Sequence, residues 1–374
     1  MPFVHVKTGN GNIKFHYNIS TPQLDVANQI DPAIPVLLWF HSLAFPHVFH
    51  AQFSDPLLRQ FNLVAFDLRS HGETEGDDLP EGYGIREAEE DALAFMDALR
   101  LPPCHFVAMD YGSPIALQIA ISHPERVLSL FFISQTCLAE PPEVREGHQQ
   151  VYDCWTAAFP GPNQYDEDRM MEGGYGFAQF MFSNNMTKMA DALFKISFGM
   201  CQKHWGYQGL KNYRISTLDF LFNRKSQPRS ALARIRCPVK LVCGTDDVAY
   251  PQEYNEEFLQ QLEDAGVDVS LLVVPGAPHF VSVEYADQVN PVLYEFVMQN
   301  DSRKPKPVSR TRISSPWDGA LRSVGFDDTA NDDDESDEDD FVVSYVSCSH
   351  VWSMLELTVI LSLRSGHRTR DIVQ

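Results

Sequence analysis

Residues 107–116 read VAMDYGSPIA. The run arrives from an apolar stretch, HFVAM (105–109), and leaves into a helical one, SPIALQIAISH (113–123), so the turn between strand and helix falls on Asp110. Small residues stand on both sides of it: Ala108 before, Gly112 and Ser113 after. A turn that brings backbone segments this close has no room for larger neighbours. It also pushes one side chain up at the carboxyl edge of a sheet, the arrangement called a nucleophile elbow, whose usual occupant is serine. Here the occupant is an aspartate, and the N-terminus of the following helix favours its charge. Taken alone, such an aspartate would more simply cap the helix. Its companions along the chain decide the matter.

Outward from the elbow, β-rich runs recur: FVHVKT from Phe3, IKFHYNI from Ile13, PVLLWF from Pro35, FNLVAFD from Phe61, HFVAM from His105, VLSLFFIS from Val127, VKLVCG from Val239 and VSLLVVPG from Val269. The first two alternate apolar with polar residues, whereas most later ones are continuously apolar. That contrast predicts antiparallel edge strands leading into a parallel sheet buried on both faces. Helical patterns separate them, notably residues 84–101 and the EFLQQLEDAG stretch around Phe258. The expected fold is α/β, a doubly wound, mostly parallel eight-stranded sheet. Residues 138–230 lack a parallel-strand run but are rich in aromatics, Met and helix formers, so a helical cap is expected there, inserted after the sixth strand. The core would then comprise residues 1–137 and 231–300.

From residue 301 the composition changes, first to basic RKPKPVSRTR, then to DDTANDDDESDEDD (327–340). Neither buries enough apolar surface to offset chain entropy, so 301–374 is expected to be a disordered acidic tail, dispensable for catalysis. Its apolar end, FVVSYVSCSHVWSMLELTVILSL (341–363), is long enough for a bilayer but holds serines, His350 and Glu356, which makes a membrane span a poor reading. The chain has 29 basic and 51 acidic residues among 374, a net charge of −22, which repels phosphate backbones and anionic lipids and argues against nucleic-acid or membrane-surface partners. Seven cysteines with no CxxC spacing indicate neither a disulfide framework nor a metal site, and several lie in apolar runs. The first residues carry no basic segment followed by an apolar one, so no signal peptide is expected and a cytoplasmic location is.

Two later loops supply the elbow's companions. After the seventh run comes CGTDDVAYP, where Gly244-x-x-Asp247 places an acid on a turn; Asp246 is adjacent, but the Gly-x-x-Asp offset favours Asp247. After the eighth comes PGAPHFVSVE, with His279 ahead of a helix. Both loops leave the same edge of a parallel sheet as the elbow. FDLRSHGETEG from Phe66 adds a His-Gly turn, in which His71 reads as structural.

By these residues the stretch from about 13 to 300 resembles the α/β-hydrolase superfamily, whose members keep the order nucleophile, acid, base. The aspartate at the elbow makes it similar to the branch of epoxide hydrolases and haloalkane or haloacid dehalogenases. The resemblance implies Asp110 as nucleophile, Asp247 and His279 as its partners, and an oxyanion hole from the backbone N–H groups of Ser42 (in WFHSLAFP) and Tyr111. GLKNYR, ending at Arg214, is similar to the second cap tyrosine motif of epoxide hydrolases and nominates Tyr213 as proton donor; Tyr152 in VYDCW is the lesser candidate for the first. Tyr111 stands where dehalogenases carry a halide-binding tryptophan, while Ala108, Ser113 and Ser42 stand where glycines are usual. The implied activity is cofactor-independent hydrolysis of a small apolar substrate through a covalent ester, epoxide hydrolase-like. Its alternatives are dehalogenase or esterase chemistry on the same elbow, or a non-catalytic binding protein of this fold.

Overall fold

All five residues of the run Val36–Phe40 are completely buried, as a strand covered on both faces requires. The computed structural model describes residues 2–183 and 185–326. Nine strands form one sheet: β1 Phe3–Thr8, β2 Gly11–Ser20, β3 Val36–Phe40, β4 Asn62–Phe66, β5 Glu75–Gly76, β6 Cys104–Asp110, β7 Val127–Gln135, β8 Val239–Gly244 and β9 Val269–Val274. Eight are the runs read from the sequence. The ninth, β5, is a two-residue pairing against β2 that periodicity could not signal.

The order is β1-β2-β4-β3-β6-β7-β8-β9. β1 pairs antiparallel with β2 and β2 with β4, while every neighbouring pair from β4 through β9 is parallel. The alternating runs are thus the antiparallel ones, as expected. β4 lies on one side of β3 and β6 on the other, so the chain order reverses there and the carboxyl ends of β3 and β6 flank a crevice.

Helices cover both faces. Ile85–Ala98 buries one side, Ala88, Ala92, Phe95 and Met96, with the Phe95 ring stacked on Phe66 at 4.4 Å. Gly112–Ser122 buries nearly all its residues, the mark of a helix inside the core. Between β7 and β8 the chain runs through helices Pro142–Ala157, Glu167–Phe182, Lys188–Trp205 and Leu210–Arg214 and several shorter turns, with no strand among the described residues. Among the described residues no helix is long and apolar enough to cross a membrane. Among the described residues Cys104, Cys137, Cys237 and Cys243 are buried and form no disulfide.

One expectation fails. Residues 301–326 are not a loose tail but a strap laid over the body, because the charges that looked unpaired in sequence meet opposite charges there. Lys306 pairs with Asp31 at 2.5 Å, and Arg310 and buried Arg59 share Asp25 at 2.6 and 2.8 Å. Burial would raise the Asp25 carboxyl, but the two guanidinium groups hold it down to about 2. Trp317, which is buried, packs on Phe53 at 4.7 Å, and Leu321 is buried beside it. The acidic run 327–340 and the apolar segment 341–363 lie outside the described residues.

Burial of Trp317 and Leu321 contributes on the order of 3 kcal/mol. A chain ending at Asn300 should therefore melt at least about 5 °C below one ending at Asp327 in calorimetry. Equal midpoints would show that the strap contributes nothing.

Candidate active site

β6 ends in a strained turn. Asp110 has φ of +45°, a left-handed conformation costly for any residue but glycine. Its surroundings hold it there. A Cβ on Gly112 would lie 2.6 Å from the Phe40 carbonyl oxygen, so only glycine lets the following helix close on β3. The Ser113 and Thr136 hydroxyls both donate to the Asp110 carbonyl, at 2.5 and 3.0 Å, and Ser113 Oγ in turn accepts from the Thr136 N–H. Ser113 is therefore the clamp of this turn.

The Asp110 carboxylate, 4 % exposed, accepts from the Leu43 N–H at 3.2 Å and from the Tyr111 N–H. His279 Nε2 lies 3.5 Å from its other oxygen, and His279 Nδ1 donates to Asp247 at 2.7 Å. Asp247 is fixed by the N–H groups of Ala249 and Tyr250 at 2.9 and 2.8 Å, whereas the Asp246 side chain turns to the Thr245 hydroxyl. The Ser134 hydroxyl donates to the His279 carbonyl and anchors that loop to β7. The structure thus brings Asp110, His279 and Asp247 into one buried chain.

Burial alone would raise the Asp110 carboxyl, but the adjoining His279 and the two backbone N–H groups outweigh it and hold the group below its ordinary value. Burial likewise opposes charge on His279, yet the two flanking carboxylates, Asp247 foremost, push it up to about 10. His279 is thus held as an imidazolium at neutral pH, with Asp247 on its Nδ1 side and Asp110 on its Nε2 side.

The loop after β3 departs from expectation by one residue. The N–H directed at Asp110 belongs to Leu43, not to Ser42. Ser42 is bound up in the loop itself: its carbonyl accepts from His41 Nδ1 at 2.7 Å, and it bridges to Phe45 around Ala44, whose φ is +66°. His41 Nε2 accepts the Leu68 N–H at 2.8 Å, so this histidine ties the loops after β3 and β4 together. His71 is tied to its own loop through the Arg69 carbonyl.

Above Leu43 lies a cavity of about 50 Å³, walled by Leu43, Phe45, His148, Trp155, Ser197 and Tyr213 among others. Asp110 and His279 are not in its wall; Leu43 stands between. Tyr213 is buried and faces this space, its hydroxyl kept protonated foremost by burial. Tyr152 does not line the cavity. It is half-buried and stacks on Tyr213, ring centroids 5.1 Å apart. Glu140 and Arg224 form a buried ion pair, with His148 of the cavity wall against Glu140, that sequence reasoning missed. Among the described residues no cluster of His, Cys, Asp and Glu is arranged to hold a metal ion.

Over residues 38–292 the sequence matches the Alpha/beta hydrolase family, from β3 through the last helix of the core. The chain belongs to that family. This α/β-hydrolase is 21% identical over 294 residues to an epoxide hydrolase 3 of Siraitia grosvenorii, covering 70% of this chain and 92% of the relative. It is 22% identical to a putative carbamate hydrolase of Yersinia enterocolitica, covering 74% and 92%, and 22% identical to human epoxide hydrolase 4, covering 80% of each. Among solved structures, an enol-lactonase from Burkholderia xenovorans superimposes with a TM-score of 0.60 at 18% identity, over 79% of this chain and 100% of the other. That likeness concerns the fold of the hydrolase alone.

Proposed function

We propose that this hydrolase opens epoxides through an ester on Asp110. The observation that carries the reading is the buried carboxylate at the left-handed turn, set between backbone N–H donors and an imidazolium. A carboxylate there attacks carbon without needing a base. As the Asp110 oxygen bonds to the epoxide carbon, the carbon–oxygen bond breaks and the leaving oxygen takes the Tyr213 proton.

Esterification removes one of the two negative charges that raise His279. Its pKa falls, and the proton it releases returns through solvent to the Tyr213 phenolate. Neutral His279, held by Asp247, then takes a proton from water, and the hydroxide attacks the ester carbonyl. The N–H groups of Leu43 and Tyr111 stabilise the oxyanion formed there. Collapse releases the diol and restores Asp110 carboxylate and His279 imidazolium, so each cycle adds one water and no net proton. The helices between β7 and β8 serve as the cap that carries Tyr213. The test is mass analysis of the His279→Gln protein after exposure to an epoxide, where a covalent adduct on Asp110 is expected and its absence would overturn the reading.

Tyr213→Phe isolates the leaving-group step. Ester formation should slow by about 10²-fold while thermal stability changes little, since the ring stack on Tyr152 and Trp205 survives. Full single-turnover activity would remove Tyr213 from the mechanism.

A further inference from the structure

One face of helix Lys188–Trp205 lines the cavity, presenting Phe194, Ser197, Phe198, Cys201 and Trp205 at helical spacing. Serine is the odd member of this apolar stripe. Its hydroxyl is buried, 2 % exposed, and makes no hydrogen bond, not even to the preceding turn of its own helix. Buried hydroxyls ordinarily find a partner, and an unpaired one in the wall of a cavity is a cost that a ligand relieves.

A second polar group shares the wall. His148 is buried, its ring stacked on Phe180 at 5.3 Å and 23°. A Cβ on Gly147 would lie 2.0 Å from Phe180 Cζ, so glycine at that position is what lets the Phe180 ring lie against this helix beside His148. His148 Nε2 lies 3.4 Å from Glu140 Oε1, and Glu140 is itself fixed by the Arg224 guanidinium and by the Tyr250 hydroxyl at 3.0 and 3.1 Å. A carboxylate beside Nε2 selects the tautomer that carries its proton on that nitrogen, which leaves Nδ1 as an acceptor. Burial, opposed by the Glu140 charge, keeps the ring below the ordinary histidine range and so neutral.

We propose that Ser197 and His148 form a polar subsite in this cavity that binds a hydroxyl carried by an otherwise apolar substrate. A serine hydroxyl both donates and accepts, and the neutral imidazole accepts, so together they complement a group that can do both. A hydrocarbon body fills the aromatic remainder of the wall. The inference rests on the reading of this cavity as the substrate chamber of an epoxide-opening enzyme and narrows the substrate to one with a hydroxyl away from the reacting carbon. Glu140 acts as a positioning residue for His148.

The test uses two inert ligands that differ in one hydroxyl, 2-phenylethanol and ethylbenzene, titrated into the full-length protein by NMR or calorimetry. In Ser197→Ala the alcohol should bind about tenfold more weakly while ethylbenzene binds unchanged, one hydrogen bond being worth about that factor. His148→Phe, which keeps the stack on Phe180, should weaken the alcohol alone in the same way. Equal losses for both ligands, no loss for either, or no binding of either to the wild type would overturn the subsite. Neither ligand reacts with Asp110. A protein that forms no ester yet keeps this discrimination would refute the proposed reaction and leave the subsite standing, and the converse result separates them the other way.

Discussion

Exposed to a terminal epoxide, His279→Gln should gain the mass of one substrate molecule on the peptide containing Asp110 and then stop. The two chemical steps make different demands on the protein. Attack by Asp110 needs an ionised carboxylate, which the N–H groups of Leu43 and Tyr111 still favour after the imidazolium is gone. Because His279 no longer helps to hold that carboxyl down, the experiment belongs at pH 8 or above, which favours the ionised carboxylate. Hydrolysis of the ester needs a base, and glutamine supplies none. Turnover should fall by about 10³-fold or more while the first step persists. Asp110→Ala should give neither adduct nor turnover. In wild type, a single turnover in ¹⁸O water should place label in the Asp110 carboxylate, since water cleaves the ester at its carbonyl. Label found only in the diol would mean that water attacks the substrate directly, and Asp110 would then be a base or a cap.

The residues of this chain were legible in sequence because each sits on a turn whose geometry restricts its neighbours. Gly112 must be glycine to clear the Phe40 carbonyl, and small residues around Asp110 follow from the same crowding. Gly244, three residues before Asp247, is equally confined: a Cβ there would lie 2.0 Å from the Ala277 carbonyl oxygen, next to the loop of His279. The Leu43 donor was not legible, because it lies in an irregular loop in which Ala44 takes a positive φ that alanine does not announce. Which strands pair antiparallel and which parallel followed from which runs alternate and which are continuous. The strap did not, since composition weighs charges without their partners, and those of Lys306 and Arg310, Asp31 and Asp25, lie more than 270 residues earlier. The tyrosines divide similarly. Tyr152 and Tyr213 were both nominated as cap tyrosines, and only packing shows that Tyr213 lines the cavity while Tyr152 stacks on the Tyr213 ring.

The buried pair Glu140 and Arg224 was invisible for the same reason of distance, and it carries the largest expected effect on stability. Both side chains are wholly buried. Burial disfavours the guanidinium charge, but Glu140 more than compensates and Arg224 stays protonated. Arg224→Leu would leave the Glu140 carboxylate in the interior with the Tyr250 hydroxyl as its close hydrogen-bond donor, and would free the Leu138 carbonyl that accepts from Arg224 Nε at 2.7 Å. Removing one member of such a pair costs about 3–5 kcal/mol, because the remaining charge is buried without compensation. That corresponds to roughly 10 °C in a domain of this size. If the cost is the stranded charge rather than the lost contact, Glu140→Met with Arg224→Leu should melt above Arg224→Leu alone. A double variant that adds the two single losses would instead mean that the residues act through packing. The distinction reaches the active site through Tyr250, whose hydroxyl donates to Glu140 while its backbone N–H donates to Asp247. Where the stranded carboxylate draws Tyr250 out of place, Asp247 loses a donor and the imidazole of His279 its fixed orientation, so Arg224→Leu should slow ester hydrolysis more than ester formation.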